Sequence, residues 1–305
     1  MFEKHSALFL YAVSPVHMGA GTAVGLIDNP IQRESHTRYP SFAGAGLKGA
    51  FRHGFVQLGG IREHVALIFG PESASENDNR HAGALSIGDA MLVAFPVRSL
   101  RGGFVYATSP TALARTQRLL SLLGTGLEWP PLPRFTDGSS LVVHHRNCGK
   151  EEPHPLHLEA FEYSTTISAD LEKIAGELAA VALPAGKEHD YFRKKFASDL
   201  VVLSDTDFAY FVEHATSVET HVRIDPNTGV AVDGGLFYTE NLPPESLLLA
   251  PVMASATRSG KDDWSAERVM ENVRSVLDGK LLQIGANATT GRGQVLARLM
   301  GAMNR

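Results

Sequence analysis

Residues 40–60 read PSFAGAGLKGAFRHGFVQLGG, and the spacing of their apolar side chains sets the frame for the rest of the chain. Leu47, Ala50, Phe51, Gly54, Phe55 and Leu58 recur at the i, i+3, i+4, i+7 interval of a helix face, and Gly59-Gly60 closes the run. The opposite face carries Lys48 and Arg52. Before this helix, SALFLYAV at 6–13 is a compact apolar run stopped by Ser14-Pro15 and reads as a buried strand; after it, Ala84–Ile87 and Met91–Val97 read as two more. The order returns at the other end. LLLAPVM at 247–253 reads as a strand, Val269, Met270, Val273, Val276 and Leu277 define an amphipathic helix near 265–278 with Gly279 at its C′ position, and two strands flank IGANATTGRGQ at 284–294. Strand, helix, strands twice over fits an α+β chain on an interrupted ferredoxin-like sheet.

A further helix spans Asp170 to Leu183, with Leu171, Ile174, Leu178 and Val181 aligned. Residues 124–157, rich in Gly, Pro and His, and residues 184–235, with the Arg193-Lys194-Lys195 cluster, lack that periodicity and read as irregular insertions. The expectation is one domain, 1–305, with a core over roughly 1–123, 158–183 and 236–305.

With 305 residues, 44% hydrophobic and 20% charged, the chain can bury a substantial core, which excludes disorder and fibre. A single cysteine, Cys148, forms no internal disulfide, and the absence of an export signal points to a reducing cytoplasm. No stretch reaches the roughly 20 apolar residues that cross a bilayer, so no membrane association is expected. Twenty-eight Lys+Arg against 33 Asp+Glu give a net charge of −5. A nucleic-acid binder of that charge must gather its cations on one surface or share phosphate contacts among subunits.

Three motifs carry chemistry. In PSFAGAGLKGAFR, Gly44, Gly46 and Gly49 admit close backbone approach at a helix N-terminus, where free N–H groups attract phosphate, and Lys48 and Arg52 extend the positive surface. The same glycines match the GxGxxG of a dinucleotide-binding oxidoreductase, although Pro40-Ser41 precede them where that fingerprint needs a strand; a packing turn with two solvated cations is the plainer alternative. In IGANATTGRGQ, Gly285, Thr289, Thr290, Gly291, Arg292 and Gly293 offer N–H, hydroxyl and guanidinium donors to a sugar–phosphate backbone, or simply a Gly-rich hairpin. In IDNPIQRE at 27–34, Asp28 lies in an aperiodic loop among His17, Arg33, Glu34 and His36, either as a reactive carboxylate or as a turn-maker beside Asn29-Pro30. A fourth group, His144, His145, Cys148, His154 and His157, invites a zinc reading, but no CxxC or HxxxH pair with a matched second pair is present, and an exposed His-rich loop is expected.

Taken in order, VHMGAGTAVGLIDNPIQRESHTRYPSFAGAGLKGAFR at 16–52, IFGPE at 68–72, FPVRS at 95–99, HVRID at 221–225, GGLFYTENLPPESL at 234–247 and IGANATTGRGQV at 284–295 resemble the RAMP superfamily, and within it the backbone subunits of the type III-B CRISPR (Cmr) effector complex. Ala43 and Ala45 stand where relatives often carry Pro and Ser. The resemblance implies an RRM-like palm with an inserted thumb within 184–235 and several copies stacked along a CRISPR RNA beside other Cmr subunits. It implies a single-stranded target RNA cut at regular intervals, with Asp28 as the catalytic residue and His17, Arg33, Tyr238 and Glu240 as secondary candidates. Lys48 and the Gly-rich loop would contact the guide backbone. A subunit that binds RNA without cutting it is the alternative.

Cleavage by RNA's own 2′-hydroxyl requires in-line geometry that stacked A-form RNA prevents, so a thumb that splays out one nucleotide would supply positioning. A carboxylate, with a reference pKa near 4, is a weak base toward a hydroxyl, so Asp28 is expected either to accept the proton or to hold a divalent ion, Mg²⁺ by its chemistry, that stabilises phosphorane charge.

Overall fold

In the computed structural model, which describes residues 2–21, 25–71, 81–133, 136–149, 154–260 and 263–301, the N-terminal apolar run forms β1 (Lys4–Ala12). Every residue of β1 from Ser6 onward is buried, because helices cover both faces. Leu8 and Leu10 enter one apolar cluster, and Ala7, Phe9 and Tyr11 enter another. A strand covered on both sides loses its polar–apolar alternation, which is why it reads as a continuous apolar run.

After the long loop come β2 (Ser41–Phe42), α1 (Gly44–Gln57) and α2 (His64–Phe69), then β3 (Leu85–Ile87), β4 (Ala90–Ser99), β5 (Gly103–Thr108) and α3 (Pro110–Leu122). The middle contributes β6 (Ser139–Val142), β7 (Pro155–Leu158), β8 (Phe161–Ile167), α4 (Ala169–Ala182), α5 (Asp190–Asp199), β9 (Leu200–Leu203) and α6 (Asp205–His214). A hairpin of β10 (Ser217–Ile224) and β11 (Ala231–Asn241) leads to β12 (Leu247–Ala254), α7 (Ala266–Leu277), β13 (Lys280–Gln283) and β14 (Gln294–Met300). Of the motif IFGPE, Glu72 lies outside the described residues, as do 22–24 of the long loop.

The main sheet runs β13-β14-β1-β12-β4, each neighbour antiparallel. Helices α1 and α7 pack together on the face reached by Leu8 and Leu10, with Phe51, Phe55, Val269 and Val273 filling the space between. Gly54 lets α1 close on β13, since a Cβ there would lie 2.8 Å from a Leu282 methyl. Leu171, Ile174 and Leu178 of α4 cover the opposite face. The parallel βαβ unit that dinucleotide binding requires is not there: α1 follows a two-residue antiparallel strand, and both neighbours of β1 run antiparallel to it.

β4 is long enough to belong to two sheets. Its first half pairs with β12 and β2, while its second half pairs with β5 and, through Ser99, with β7. The order β4-β5-β9-β6-β8-β7 returns to β4 and closes a six-stranded, barrel-like sheet. This corrects the expectation of irregular structure over 124–157 and 184–235, which supply β6, β9 and most of β7 to that ring along with α5 and α6. Leu200–Leu203 shows why the pattern fails: all of its residues are buried, and four apolar residues are too few to display a period.

The β10–β11 hairpin forms a separate two-stranded sheet. It exposes Val218, Val222, Ile224 and Leu236. Among the described residues no helix is long and apolar enough to cross a membrane.

Candidate active site and nucleic-acid interface

The loop between β1 and β2 doubles back over the base of the hairpin through isolated bridges Val16↔Leu242 and Asn29↔Thr239, and meets the β13–β14 loop through His17↔Ala286. Asn29 N–H donates to the Tyr238 carbonyl at 3.0 Å, and Glu240 N–H donates to the Asn29 carbonyl at 2.9 Å. These bonds align Asp28 with Tyr238, whose N–H donates to Asp28 Oδ2 at 2.7 Å. Asp28 is exposed, and its Oδ1 accepts no hydrogen bond from a described residue. One oxygen is thus held by the backbone and the other faces outward.

Directly beneath, Glu240 is a hub. Its Oε1 accepts from Arg33 Nη2 at 2.5 Å and Thr216 Oγ1 at 2.8 Å, and its Oε2 accepts from Ile31 N–H at 3.0 Å. The Arg33 and Glu240 side chains are 6% and 4% exposed. Arg33 Nη1 also donates to the carbonyls of Arg38 and Val212, both at 2.8 Å, so one guanidinium ties the loop to α6 and to the hairpin. His17 Nδ1 lies 2.7 Å from the Glu240 carbonyl and must carry a proton to bond it. The five residues singled out in the sequence therefore come together, in two layers: Asp28 and Tyr238 outside, His17, Arg33 and Glu240 buried as their support. The Arg115 guanidinium fixes the far end of the loop through both oxygens of Glu34. Burial raises the Glu34 carboxyl, but the bonds from Arg115 and Thr37 outweigh it and hold the group below its ordinary value.

The proposed backbone contacts sort differently. Gly44 N–H at the start of α1 already donates to Asp89 Oδ1 at 2.7 Å, and a Cβ on Gly44 would lie 2.4 Å from the Ile87 carbonyl. Gly46 packs near the Met18 thioether, whereas Gly49 faces open space. Arg52 donates to the Gly70 carbonyl. Lys48 forms no ion pair with a described residue; burial, and then the neighbouring Arg52, pull its ammonium below the ordinary lysine value. In the C-terminal loop, Arg292 pairs with Glu219 of β10 at 2.6 Å, Gly293 N–H donates to the Pro15 carbonyl at 2.8 Å, and Thr290 Oγ1 and Gly291 N–H close a local turn. Thr289 stays exposed. Gly285, at φ +82°, lets Ala286 N–H reach the His17 carbonyl at 2.8 Å; a Cβ at Gly285 would stand 2.3 Å from that oxygen.

Residues 9–295 match the sequence pattern of the RAMP superfamily. The chain belongs to the RAMP superfamily. It is similar to the CRISPR system Cmr endoribonuclease Cmr4 of Pyrococcus furiosus, 33% identical over 301 residues that cover 97% of this chain and 95% of that protein. It is also similar to the CRISPR system CMR subunit Cmr4 of Saccharolobus solfataricus, 23% identical with 95% and 94% covered. Among solved structures, oligomeric Cmr4 from Pyrococcus furiosus superposes with a TM-score of 0.74 at 27% identity over 99% of each chain. A chain of the type III-B Cmr-beta complex bound to cognate target RNA shares the fold, with a TM-score of 0.71 at 18% identity over 98% of each chain.

In this RAMP chain, no group of three or more His, Cys, Asp or Glu among the described residues is arranged to hold a metal. His145 and His154 stack edge to face with centroids 4.6 Å apart, and Cys148 is buried with Sγ 3.5 Å from the His145 carbonyl. One free carboxylate oxygen at Asp28 would suit a hydrated ion such as Mg²⁺ better than zinc, which takes a closed set of N and S ligands. Sequence reasoning missed Thr216 on Glu240, Asp89 on the α1 N-terminus and the α6 terminus facing the loop. None of the three carries a local motif.

Proposed function

We propose that this RAMP chain is the repeating, RNA-binding backbone subunit of a type III-B CRISPR effector complex and an endoribonuclease that cuts complementary target RNA. Its partners are the CRISPR RNA, the target strand, further copies of itself and the other Cmr subunits, in the cytoplasm. The reading rests on similarity along nearly the whole chain to a named Cmr endoribonuclease. We read β14-β1-β12-β4 with α1 and α7 as a ferredoxin-like palm and the β10–β11 hairpin as the thumb; the antiparallel order and the two crossover helices support this assignment.

The observation that carries the site is the Asp28 carboxylate, exposed on one oxygen and pinned on the other by Tyr238 N–H at the base of the thumb. A strand distorted there presents a 2′-hydroxyl to Asp28. That oxygen attacks the adjacent phosphorus, its proton passes to the carboxylate, and the 5′ oxygen leaves and takes a proton from solvent. The products carry a 2′,3′-cyclic phosphate and a 5′-hydroxyl. If the exposed oxygen of Asp28 instead held Mg²⁺, the proton would pass to solvent and the ion would supply charge neutralisation to the phosphorane. His17, whose ring is held by the Glu240 carbonyl, positions rather than reacts, as do Arg33 and Glu240, since Glu240 has no free oxygen. Lys48, Gly49 and Thr289 remain available for the guide backbone.

The test is Asp28→Asn in the reconstituted complex, because asparagine still accepts the Tyr238 N–H bond and loses only the charge. Evenly spaced cuts should disappear with guide and target binding unchanged. Intact cutting would leave this chain a scaffold, and cutting that survives a chelator would remove the metal from the scheme.

A further inference from the structure

Beside Asp28 lies a cleft of about 590 Å³, formed where the 25–31 run faces the C-terminal end of α6. One wall is apolar and belongs to the segment that carries Asp28: Leu26, Ile27 and Pro30 line it, and Leu26 is 94% exposed. The facing wall is His214, with the half-exposed Tyr210 ring packed on it at a centroid distance of 4.7 Å. The buried Arg33–Glu240 pair forms the floor. At the rim, Arg38 and Glu213 pair at 3.7 Å with side chains 59% and 43% exposed, a separation and exposure at which an ion pair exchanges partners at little cost. Arg38 is fixed there by its backbone, held at φ +60° by an N–H bond to the Glu34 carbonyl and by Arg33 on its own carbonyl.

The charges in this cleft cancel, two arginines against two glutamates, so neither a phosphate nor a cation is favoured. A flat, uncharged ligand with apolar faces and an edge that both donates and accepts is favoured, because aromatic and apolar walls stack on its faces while a guanidinium and a carboxylate meet its edge. A nucleobase has those properties. We propose that the cleft receives the base of the target nucleotide adjoining the cut and so holds the sugar with its 2′-hydroxyl turned in line. This rests on the reading of Asp28 as the cutting residue, which lies next to Ile27 in the cleft wall. Base capture converts the splaying of a nucleotide from a fluctuation into a fixed geometry.

The experiment uses the reconstituted complex and synthetic targets in which one ribonucleotide, placed in turn at each position across a cutting interval, lacks its base but keeps its 2′-hydroxyl. These are cut by the wild type and by a Leu26→Ala/His214→Ala variant. At one position, removing the base should slow the adjacent cut about 10-fold in the wild type, and the variant should slow it about 10-fold on the intact target. Combined, the two changes should slow it no further than either alone. Full-rate cutting of every abasic target would overturn the proposal, as would losses that multiply to about 100-fold, which mark independent effects. A variant that no longer assembles on the guide would also overturn it and assign the cleft to contact between copies. Asp28→Asn run alongside separates the two readings: cutting by that variant refutes the role of Asp28, whereas base dependence is read from the wild type alone.

Discussion

Replacing Glu240 tests whether the layer under Asp28 supports or reacts. In Glu240→Ala, the Arg33 guanidinium, 6% exposed, loses its carboxylate partner, and Ile31 N–H and Thr216 Oγ1 lose their acceptor. Breaking a buried pair from one side costs about 3–5 kcal/mol, and because Arg33 keeps the carbonyls of Arg38 and Val212, the lower end, about 3 kcal/mol, is expected here. At the usual unfolding entropy per residue, a loss of 3–5 kcal/mol in a chain of this length lowers Tm by about 5–8 °C. The double variant Arg33→Met/Glu240→Leu, which removes the charges together, should be less destabilised than Glu240→Ala. Chemical denaturation of the isolated chain measures both, and cleavage by the assembled complex is read in parallel. Cutting should fall in Glu240→Ala and recover in part in the double variant. If Glu240→Ala unfolds like the wild type yet no longer cuts, the supporting role is refuted and Glu240 acts on the RNA itself.

Gly285→Ala forces a Cβ to within 2.3 Å of the His17 carbonyl at a left-handed backbone position, so a loss above about 1 kcal/mol is expected in urea unfolding, with wild-type stability the contrary result. Glu245, whose carboxylate is bonded by Tyr11 and faces the Tyr106 hydroxyl, is pushed up by burial from its ordinary 4.5 to about 7. Its folded value lies above the unfolded one, so its contribution is complete below about pH 4.5 and is lost as pH rises through about 7. Glu245→Gln should remove on the order of 1–2 kcal/mol of the stability difference between pH 5 and pH 8, the shift being discounted for residual exposure; denaturation curves that keep the wild-type pH dependence would contradict it. Lys48→Ala should weaken guide binding and reduce the slope of log affinity against log salt by about 1, and an unchanged slope would show that Lys48 meets no phosphate.

The framework was legible where elements are long. The helices at 44–57, 169–182 and 266–277 each present an unbroken apolar stripe, and the structure places them within a residue or two of the span their periodicity defines, except that α1 begins three residues before Leu47. Two further helices left readable caps: Ser109 before Pro110 accepts from Ala112 N–H, and Ser204 accepts from Asp207 N–H. The barrel-like ring was not legible, since its members β6, β7 and β9 have four residues each and their parallel and antiparallel pairings join positions far apart in the chain. The site has the same difficulty in sharper form. Asp28 and Tyr238 are 210 residues apart, and only the resemblance to a family linked them in the sequence.

The net charge of −5 gains a physical reading from the pairings. Arg33, Arg115, Arg146, Lys195 and Arg292 are all engaged by carboxylates, and Asp89 occupies part of the α1 N-terminus where a phosphate would otherwise sit. Each of these cations is satisfied within the chain, and because affinity scales with the number of phosphates neutralised, every internal pair subtracts from what one copy can offer RNA. Stacked copies on one guide change this, since each added copy binds at the high effective concentration set by its neighbour. On this argument, internal pairing of the arginines builds a rigid site, and repetition along the guide supplies the binding.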